Sequence, residues 1–143
     1  MDKQDTILSL NRILANYAIV NTKLFRYKWY AKGEHALLLT IFFSEVQADF
    51  HNEMEHLAEY ILSIGGKPFA TMIKFIKQGT IEEATADDEE EEMISQLEDD
   101  FLQIIQQMKE LLSKSDEATK HFLYPLQRKL NASLLKCNAY QRK

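Results

Sequence analysis

Hydrophobic residues recur every three or four positions along most of this chain, which is the spacing of residues on one face of an α-helix. The pattern predicts four long helices, over residues 5–32, 34–64, from about 87 through 111, and 116–140. No stretch alternates as a β-strand does. The predicted stripes are Ile7, Leu10, Leu14, Tyr17, Asn21, Leu24 and Lys28; Leu39, Phe43, Val46, Phe50, Met54, Leu57, Ile61 and Ile64; Ile94, Leu97, Phe101, Ile104, Met108 and Leu111; and Phe122, Leu126, Leu130 and Leu134.

The connection between the second and third predicted helices is much longer than the other two. Gly65 and Gly66 end the second helix, and the following residues 67–86 leave room for a two-turn helix over residues 71–78. A connection of this length lets the third helix run parallel to the second, whereas a short one would give a tight antiparallel pair. The sequence therefore predicts an all-α fold, a four-helix bundle with one long crossover that contains a short helix.

Composition and charge indicate one domain spanning residues 1–143. The chain is 45% hydrophobic and 27% charged, as in ordinary globular domains. Its net charge of −5 argues against nucleic acid or an anionic membrane as a partner, because both attract basic surfaces. Neither a secretory signal nor a membrane-spanning segment is recognisable, so a cytoplasmic location is expected. The lone Cys137 is expected to be a small buried residue.

Two local features bear on the second half of the chain. The acidic run at residues 87–92 would be unusual inside a helix but suits the positive end of a helix dipole, so the third helix is predicted to start near Asp87. The alternative is an acidic patch that collects metal ions. Pro125 is predicted to kink the fourth helix or to limit its start.

The second predicted helix carries two candidate metal-binding patterns. Glu53 and His56 have the Glu-x-x-His spacing of one half of a di-iron site, although no second copy of this motif is present. His51, Glu55 and Glu59 are four residues apart and so lie on nearly one face of the helix, where they could ligate a metal ion. The alternative for both patterns is a solvated helix face.

Other reactive or aromatic residues have simpler interpretations. His35 and His121 are isolated in the sequence and are expected to be surface or capping residues. The aromatic group Phe25, Tyr27, Trp29 and Tyr30 is expected to pack at the end of the first helix. No phosphate-binding glycine loop, serine nucleophile elbow or catalytic thiol pattern is recognisable.

Several short motifs follow one another between residues 21 and 84. They read Asn21-x-Lys23, Lys28-Trp29-Tyr30-x-Lys32-Gly33-x-His35, Glu55-x-x-Ala58-Glu59, Ile61-x-x-Ile64-Gly65-Gly66-x-Pro68-x-x-Thr71 and Ile81-x-Glu83-Ala84. In order and spacing they resemble the Dps, or miniferritin, family of ferritin-like proteins. The resemblance implies a ferritin-like bundle, assembly into a hollow dodecamer of identical subunits, iron oxidation with peroxide between two-fold-related subunits, iron storage inside and, in some members, DNA binding.

The same resemblance identifies which positions would hold iron. In the family, one subunit gives a histidine before the tryptophan, a second histidine twelve residues on and an aspartate four beyond that. Those positions hold Lys28, Thr40 and Ser44 here. The mate gives an acidic pair, which maps onto Glu55 and Glu59. A lysine ammonium has no lone pair for iron and a hydroxyl is a weak ligand, so the ferroxidase centre is expected to be absent or severely weakened.

Family members that bind DNA often use a lysine-rich tail, whereas only Met1–Gln4 precede the first predicted helix and the basic end is Gln141-Arg142-Lys143. DNA binding is therefore not expected. Lys120 also lowers the negative potential at the acidic start of the fourth helix, where the family places an iron entry pore. Two hypotheses remain. One is an iron-handling, stress-protective cage with weakened or relocated oxidation at Glu55, Glu59 and His51. The other is a catalytically inactive shell protein that assembles alone or with an active paralogue.

Overall fold

The computed structural model describes residues 1–84 and 89–141, and these residues form five helices. The four long ones are α1 (Lys3–Tyr30), α2 (Ala36–Ser63), α4 (Glu90–Leu112) and α5 (Glu117–Gln141), and the short α3 (Met72–Gln78) lies in the crossover. No strand occurs in the described ranges. The all-α prediction and the short crossover helix are thus confirmed, with helix ends within about two residues of those expected.

Two details of the helix ends differ from the sequence-based expectation. The described part of α4 begins at Glu90, and the predicted start near Asp87 lies outside the described residues. Pro125 lies inside α5, eight residues after Glu117, so it does not limit the start of that helix. The Asp2 side chain, which accepts a hydrogen bond from the Asp5 amide at 2.8 Å, begins α1 two residues earlier than the hydrophobic pattern indicated.

Cross-helix polar contacts fix the direction of the helices. Three residues of α1 contact α4 in reverse order: Asn16 reaches Gln107, Lys23 reaches Asp100 and Tyr27 reaches Gln96. Helices α1 and α4 are therefore antiparallel. Because a five-residue turn makes α1 and α2 antiparallel as well, α2 and α4 run parallel, as the long crossover predicted. None of the described helices is long and apolar enough to cross a membrane.

Two asparagines of α1 hold the crossover against the bundle. The Asn11 side chain accepts from the Phe69 amide at 2.8 Å and donates to the Lys67 carbonyl at 3.0 Å. Asn16 accepts from the amides of Thr80 and Ile81, at 2.8 and 3.1 Å. Both asparagines are buried, so each satisfies backbone groups that would otherwise lose their water partners.

The core follows the predicted stripes with a few exceptions. Every predicted α4 residue is buried, as is Cys137 of α5. Five apolar residues of the predicted stripes are only half-buried, namely Ile7, Met54, Ile64, Phe122 and Leu134. The aromatic group at the end of α1 is divided: Tyr27 is buried, whereas Phe25, Trp29 and Tyr30 are 39, 71 and 54% exposed. Phe25 and Trp29 pack against each other at this end, with ring centres 5.3 Å apart, so only Tyr27 of the group reaches the core.

Candidate functional site

The residues at the predicted ligand positions lie on the hairpin formed by α1 and α2. Lys28 is in the last turn of α1 and is half-buried, with its ammonium 5.7 Å from the centre of the Phe25 ring. Thr40 and Ser44 are in the first turns of α2. The Thr40 hydroxyl donates to the Ala36 carbonyl at 2.8 Å, so its proton is already used inside the helix.

The other predicted ligands lie further along α2. His51, Glu55 and Glu59 are all exposed, on the solvated face of the helix. In the described ranges, no three His, Cys, Asp or Glu side chains of one subunit come together as a metal-binding group. The Glu53 and His56 pair is also separated by environment, because Glu53 is 2% exposed and His56 points to solvent.

Helix geometry keeps the two halves of the predicted iron site apart within one chain. Ser44 and Glu55 are eleven residues apart on α2, which corresponds to roughly 16 Å along the axis at 1.5 Å per residue. One metal ion cannot bridge that distance, since metal–ligand bonds are about 2 Å long. A site that uses both halves therefore requires two subunits.

A buried ion pair connects α1 to α4. The Lys23 ammonium lies 2.7 Å from Asp100 Oδ2, and the two side chains are 5 and 6% exposed. Burial raises the pKa of Asp100 to about 6, against the lowering effect of Lys23. Such a pair stabilises the fold only while both partners are present.

A second buried polar group lies between α1 and α2. Tyr17 is fully buried and Glu53 is 2% exposed. Neither the Tyr17 hydroxyl nor either Glu53 carboxylate oxygen has a hydrogen bond of good geometry to a protein group in the described ranges, although the two side chains lie close enough to interact. Burial raises the pKa of Glu53 to about 7, and burial together with the nearby Glu53 charge raises that of Tyr17.

A third polar group ties together the ends of three helices. The Glu90 carboxylate Oε1 accepts from the Tyr140 hydroxyl at 2.7 Å and lies 2.8 Å from His35 Nδ1. The rings of His35 and Tyr140 meet edge-on with centroids 5.6 Å apart. His35 is exposed, as expected, but it is paired with Glu90 rather than isolated. The Glu90 contact raises the pKa of His35, and the bonds from Tyr140 and His35 lower that of Glu90.

The contact between His35 and Glu90 should make the pKa of the His35 imidazole depend on Glu90. We expect the His35 imidazole to titrate above its ordinary pKa in the native protein and to return towards it in Glu90→Gln. The contact stabilises the fold fully below the ordinary histidine pKa and is lost as pH rises through the raised one. For Glu90 the sign is opposite, with stability lost as pH falls through its lowered pKa. An NMR titration of the His35 ring protons measures this, with Glu92→Gln as the matched control; equal His35 midpoints in both variants would contradict it.

The sequence pattern did not indicate these three polar groups. Lys23 belongs to a recognised motif, but its partner Asp100 lies 77 positions away in an acidic stretch that reads as a helix surface. The sequence spacing of Glu53 relative to His56 indicates only a metal half-site. Hydrophobic periodicity cannot indicate a buried polar residue, since it scores that residue as solvent-facing.

This chain is similar in sequence to ferritin-like proteins. A family model for the ferritin-like domain matches residues 7–142. The general stress protein 20U of Bacillus subtilis is 31% identical over 114 residues, which cover 80% of this chain and 79% of that protein. The DNA protection during starvation protein of Brevibacillus brevis is 33% identical over 109 residues, covering 76% and 73%.

Solved structures agree with the sequence comparisons. The crystal structure of a Dps protein from Bacillus brevis superposes with a TM-score of 0.93 at 28% identity, covering 99% of this chain and 100% of that one. The crystal structure of Dps from Staphylococcus aureus gives 0.94 at 27% identity, with 99% and 98% covered. The similarity therefore extends over the whole bundle, including the crossover.

Proposed function

Because this chain belongs to the Dps family of ferritin-like proteins, we propose that it is the subunit of a closed, homo-oligomeric iron-sequestering shell in which the usual ferroxidase centre does not operate. The proposed role is protection of the cytoplasm from iron-driven oxidative stress by retention rather than by fast oxidation. Iron is the substrate and cargo of this shell. The net charge of −5 gives no support to DNA binding as part of the role.

One observation carries the proposal. The acidic half of the family's iron site, Glu55 and Glu59, is exposed on α2 and free to bind cations, whereas the positions of the other half hold Lys28, Thr40 and Ser44. An ammonium repels Fe²⁺ and neutral hydroxyls are poor ligands for it. A two-subunit site of this composition would attract iron weakly and would lack the nitrogen and carboxylate ligands on one side.

Exposed apolar surface supports assembly. On the crossover helix, Met72 is 76% and Ile73 is 70% exposed, and Trp29 at the end of α1 is 71% exposed. Met72 and Ile73 are neighbours on one short helix, and exposed apolar patches support a contact between proteins. By family resemblance we propose that these residues meet their copies across a two-fold axis in a dodecamer, with His51, Glu55 and Glu59 available to cations.

The test measures assembly and iron chemistry on the same purified protein. Light scattering should report a closed oligomer of about twelve subunits. Stopped-flow absorbance after Fe²⁺ addition should show slow oxidation with either peroxide or oxygen, and gel filtration should show iron retained with the shell.

The retained iron should decrease in the double variant Glu55→Gln/Glu59→Gln, whereas Glu45→Gln/Glu82→Gln, which removes two other surface carboxylates, is the control and should retain iron as the native protein does. A stable monomer, or rapid peroxide-dependent oxidation, would refute the proposal.

Lys28 favours a second candidate, an inactive shell protein that assembles alone or with an active paralogue. Two carboxylates one turn apart repel each other and are stabilised by a cation. Lys28 of one subunit could supply that cation to Glu55 or Glu59 of its mate on a flexible stem, and so preserve the interface without iron. This candidate predicts that Lys28→Ala weakens the oligomer and that no iron is retained, whereas the first predicts retained iron.

A further inference from the structure

The buried carboxyl group of Glu53 interacts with Tyr17 and Lys129 but makes no hydrogen bond of good geometry in the described ranges. It projects from α2 into the bundle and is 2% exposed, and neither of its oxygens is hydrogen-bonded to a protein group of the described ranges. Native structures rarely leave a buried polar atom unpaired, because the lost hydration is not recovered. A bound ion or ordered water is one species that satisfies such a group.

The surroundings of Glu53 supply further oxygen atoms. Tyr17 of α1 is fully buried beside it, and its hydroxyl likewise makes no hydrogen bond of good geometry in the described part of the chain. The centres of the Tyr17 and Phe50 rings are 4.5 Å apart. Asp49 lies one turn before Glu53 on α2, where helical spacing brings the two carboxylates onto one face. Three oxygen-bearing side chains therefore converge from two helices.

A cation already balances the outer end of this cluster. The Lys129 ammonium of α5 lies 3.7 Å from Asp49 Oδ1, and the two side chains are 55 and 44% exposed. Asp49 and Lys129 therefore connect solvent to the buried pair of Glu53 and Tyr17. Because Lys129 is long and half-exposed, it can swing into solvent without disturbing the core.

We infer that Asp49, Glu53 and Tyr17 form an intrasubunit binding site for a hard divalent cation, which enters by displacing the Lys129 ammonium. Carboxylate and phenol oxygens are hard donors, and oxygen-rich sites suit Mg²⁺, Ca²⁺ and Mn²⁺ better than soft metals. A cation between the two carboxylates would satisfy the unpaired oxygens of Glu53 and relieve their mutual repulsion. Water would complete the coordination from the side of Asp49.

This site is separate from the acidic face of the proposed function. Glu55 and Glu59 are exposed, while Glu53 points into the bundle, so the two sets cannot share an ion. The site combines two carboxylates with a tyrosine, so it differs from a group of three His, Cys, Asp or Glu side chains, of which the described residues contain none. A single subunit contains all three groups, so the inference does not depend on the shell.

The test uses two probes on the full-length protein. Mn²⁺ titration followed by electron paramagnetic resonance gives affinity and stoichiometry, with one site per subunit expected. Glu53→Gln should weaken Mn²⁺ binding by at least about tenfold, as for loss of a ligand interaction. Lys129→Met should strengthen binding, because it removes the competing cation. Glu55→Gln/Glu59→Gln is the matched control and should leave this site unchanged.

Terbium locates the bound ion, because Tb³⁺ is a hard cation that emits when a nearby tyrosine is excited. Tyrosine-sensitised Tb³⁺ emission should be present in the native protein, lost in Tyr17→Phe and retained in Tyr30→Phe. The inference is overturned if Mn²⁺ affinity is unchanged in Glu53→Gln and in Lys129→Met, if it follows Glu55 and Glu59 instead, or if binding is only adventitious. Lys129 is on the surface, so its variant decides the question even where Glu53→Gln fails to fold.

Discussion

Replacement of Lys23 by methionine should lower the free energy of unfolding by about 3–5 kcal/mol, the cost of removing one partner of a buried ion pair. Lys23 and Asp100 are 5 and 6% exposed, and their charged atoms are 2.7 Å apart. Methionine fills most of the lysine volume, so the loss arises mainly from the carboxylate left in the core. Denaturation by urea, followed by circular dichroism, measures the change.

A second substitution separates charge from packing. Asp100→Leu combined with Lys23→Met removes both charges and should recover most of the lost stability, because an apolar pair of similar size needs no hydration. The deficit of the single variant should also shrink at acid pH. Burial raises the pKa of Asp100 to about 6 even with Lys23 present. A carboxyl with a raised pKa destabilises the fold as pH rises, so protonation removes the penalty.

The control for this prediction is a surface ion pair of the same type. Lys136 lies 3.4 Å from Glu45, with side chains 61 and 57% exposed. Lys136→Met should change the free energy of unfolding by less than about 1 kcal/mol, since exposed pairs are screened by water. Equal losses in the two lysine variants would show that burial does not control the cost.

Hydrophobic periodicity predicted the helices and the crossover because it reports directly on which face of a helix is buried. The α4 residues at strict three- and four-residue spacing, from Ile94 to Leu111, are all buried. Periodicity does not distinguish a face that meets its own bundle from one that meets another molecule. Trp29 and Met72 are apolar residues of this ambiguous kind, and they are 71 and 76% exposed in one subunit.

The polar groups were not predictable, for a different reason. His35 and Glu90 are 55 positions apart, and Lys23 and Asp100 are 77 positions apart. Only the folded topology brings them together, and a single sequence carries no signal of such pairing. The substituted ligand positions Lys28, Thr40 and Ser44 follow from the family motifs, and the chemistry of these side chains indicates that they bind iron poorly.

Restoring the family's ligands should restore the family's chemistry. We expect the triple variant Lys28→His, Thr40→His and Ser44→Asp to oxidise Fe²⁺ with peroxide at least roughly tenfold faster than the native protein, which corresponds to an activation barrier lowered by about 1.4 kcal/mol. Two imidazoles and a carboxylate replace an ammonium and two hydroxyls, so the site gains three good ligands and loses a repelling charge. Stopped-flow absorbance measures the rate.

The structure indicates that these substitutions can be accommodated. Ser44 is exposed, and Thr40 is half-buried with a hydroxyl bonded only to the preceding turn of its own helix at Ala36. Lys28 loses a contact with the Phe25 ring that a histidine can partly replace. The triple variant should therefore fold and assemble as the native chain does, which light scattering and circular dichroism check before any rate is compared.

The two glutamates of the rebuilt site, Glu55 and Glu59, provide the decisive control. Helix geometry requires Glu55 and Glu59 to come from a second subunit, because they lie roughly 16 Å or more along α2 from Ser44. The triple variant with Glu55→Gln and Glu59→Gln should thus return to the native, slow rate. Mixing it with native subunits and reassembling should raise the rate above that of native sites, because a mixed interface pairs the rebuilt ligands of one subunit with Glu55 and Glu59 of its mate. A fast rate that survives loss of both glutamates would mean that the rebuilt ligands act within one subunit, and the proposed inter-subunit site would be wrong.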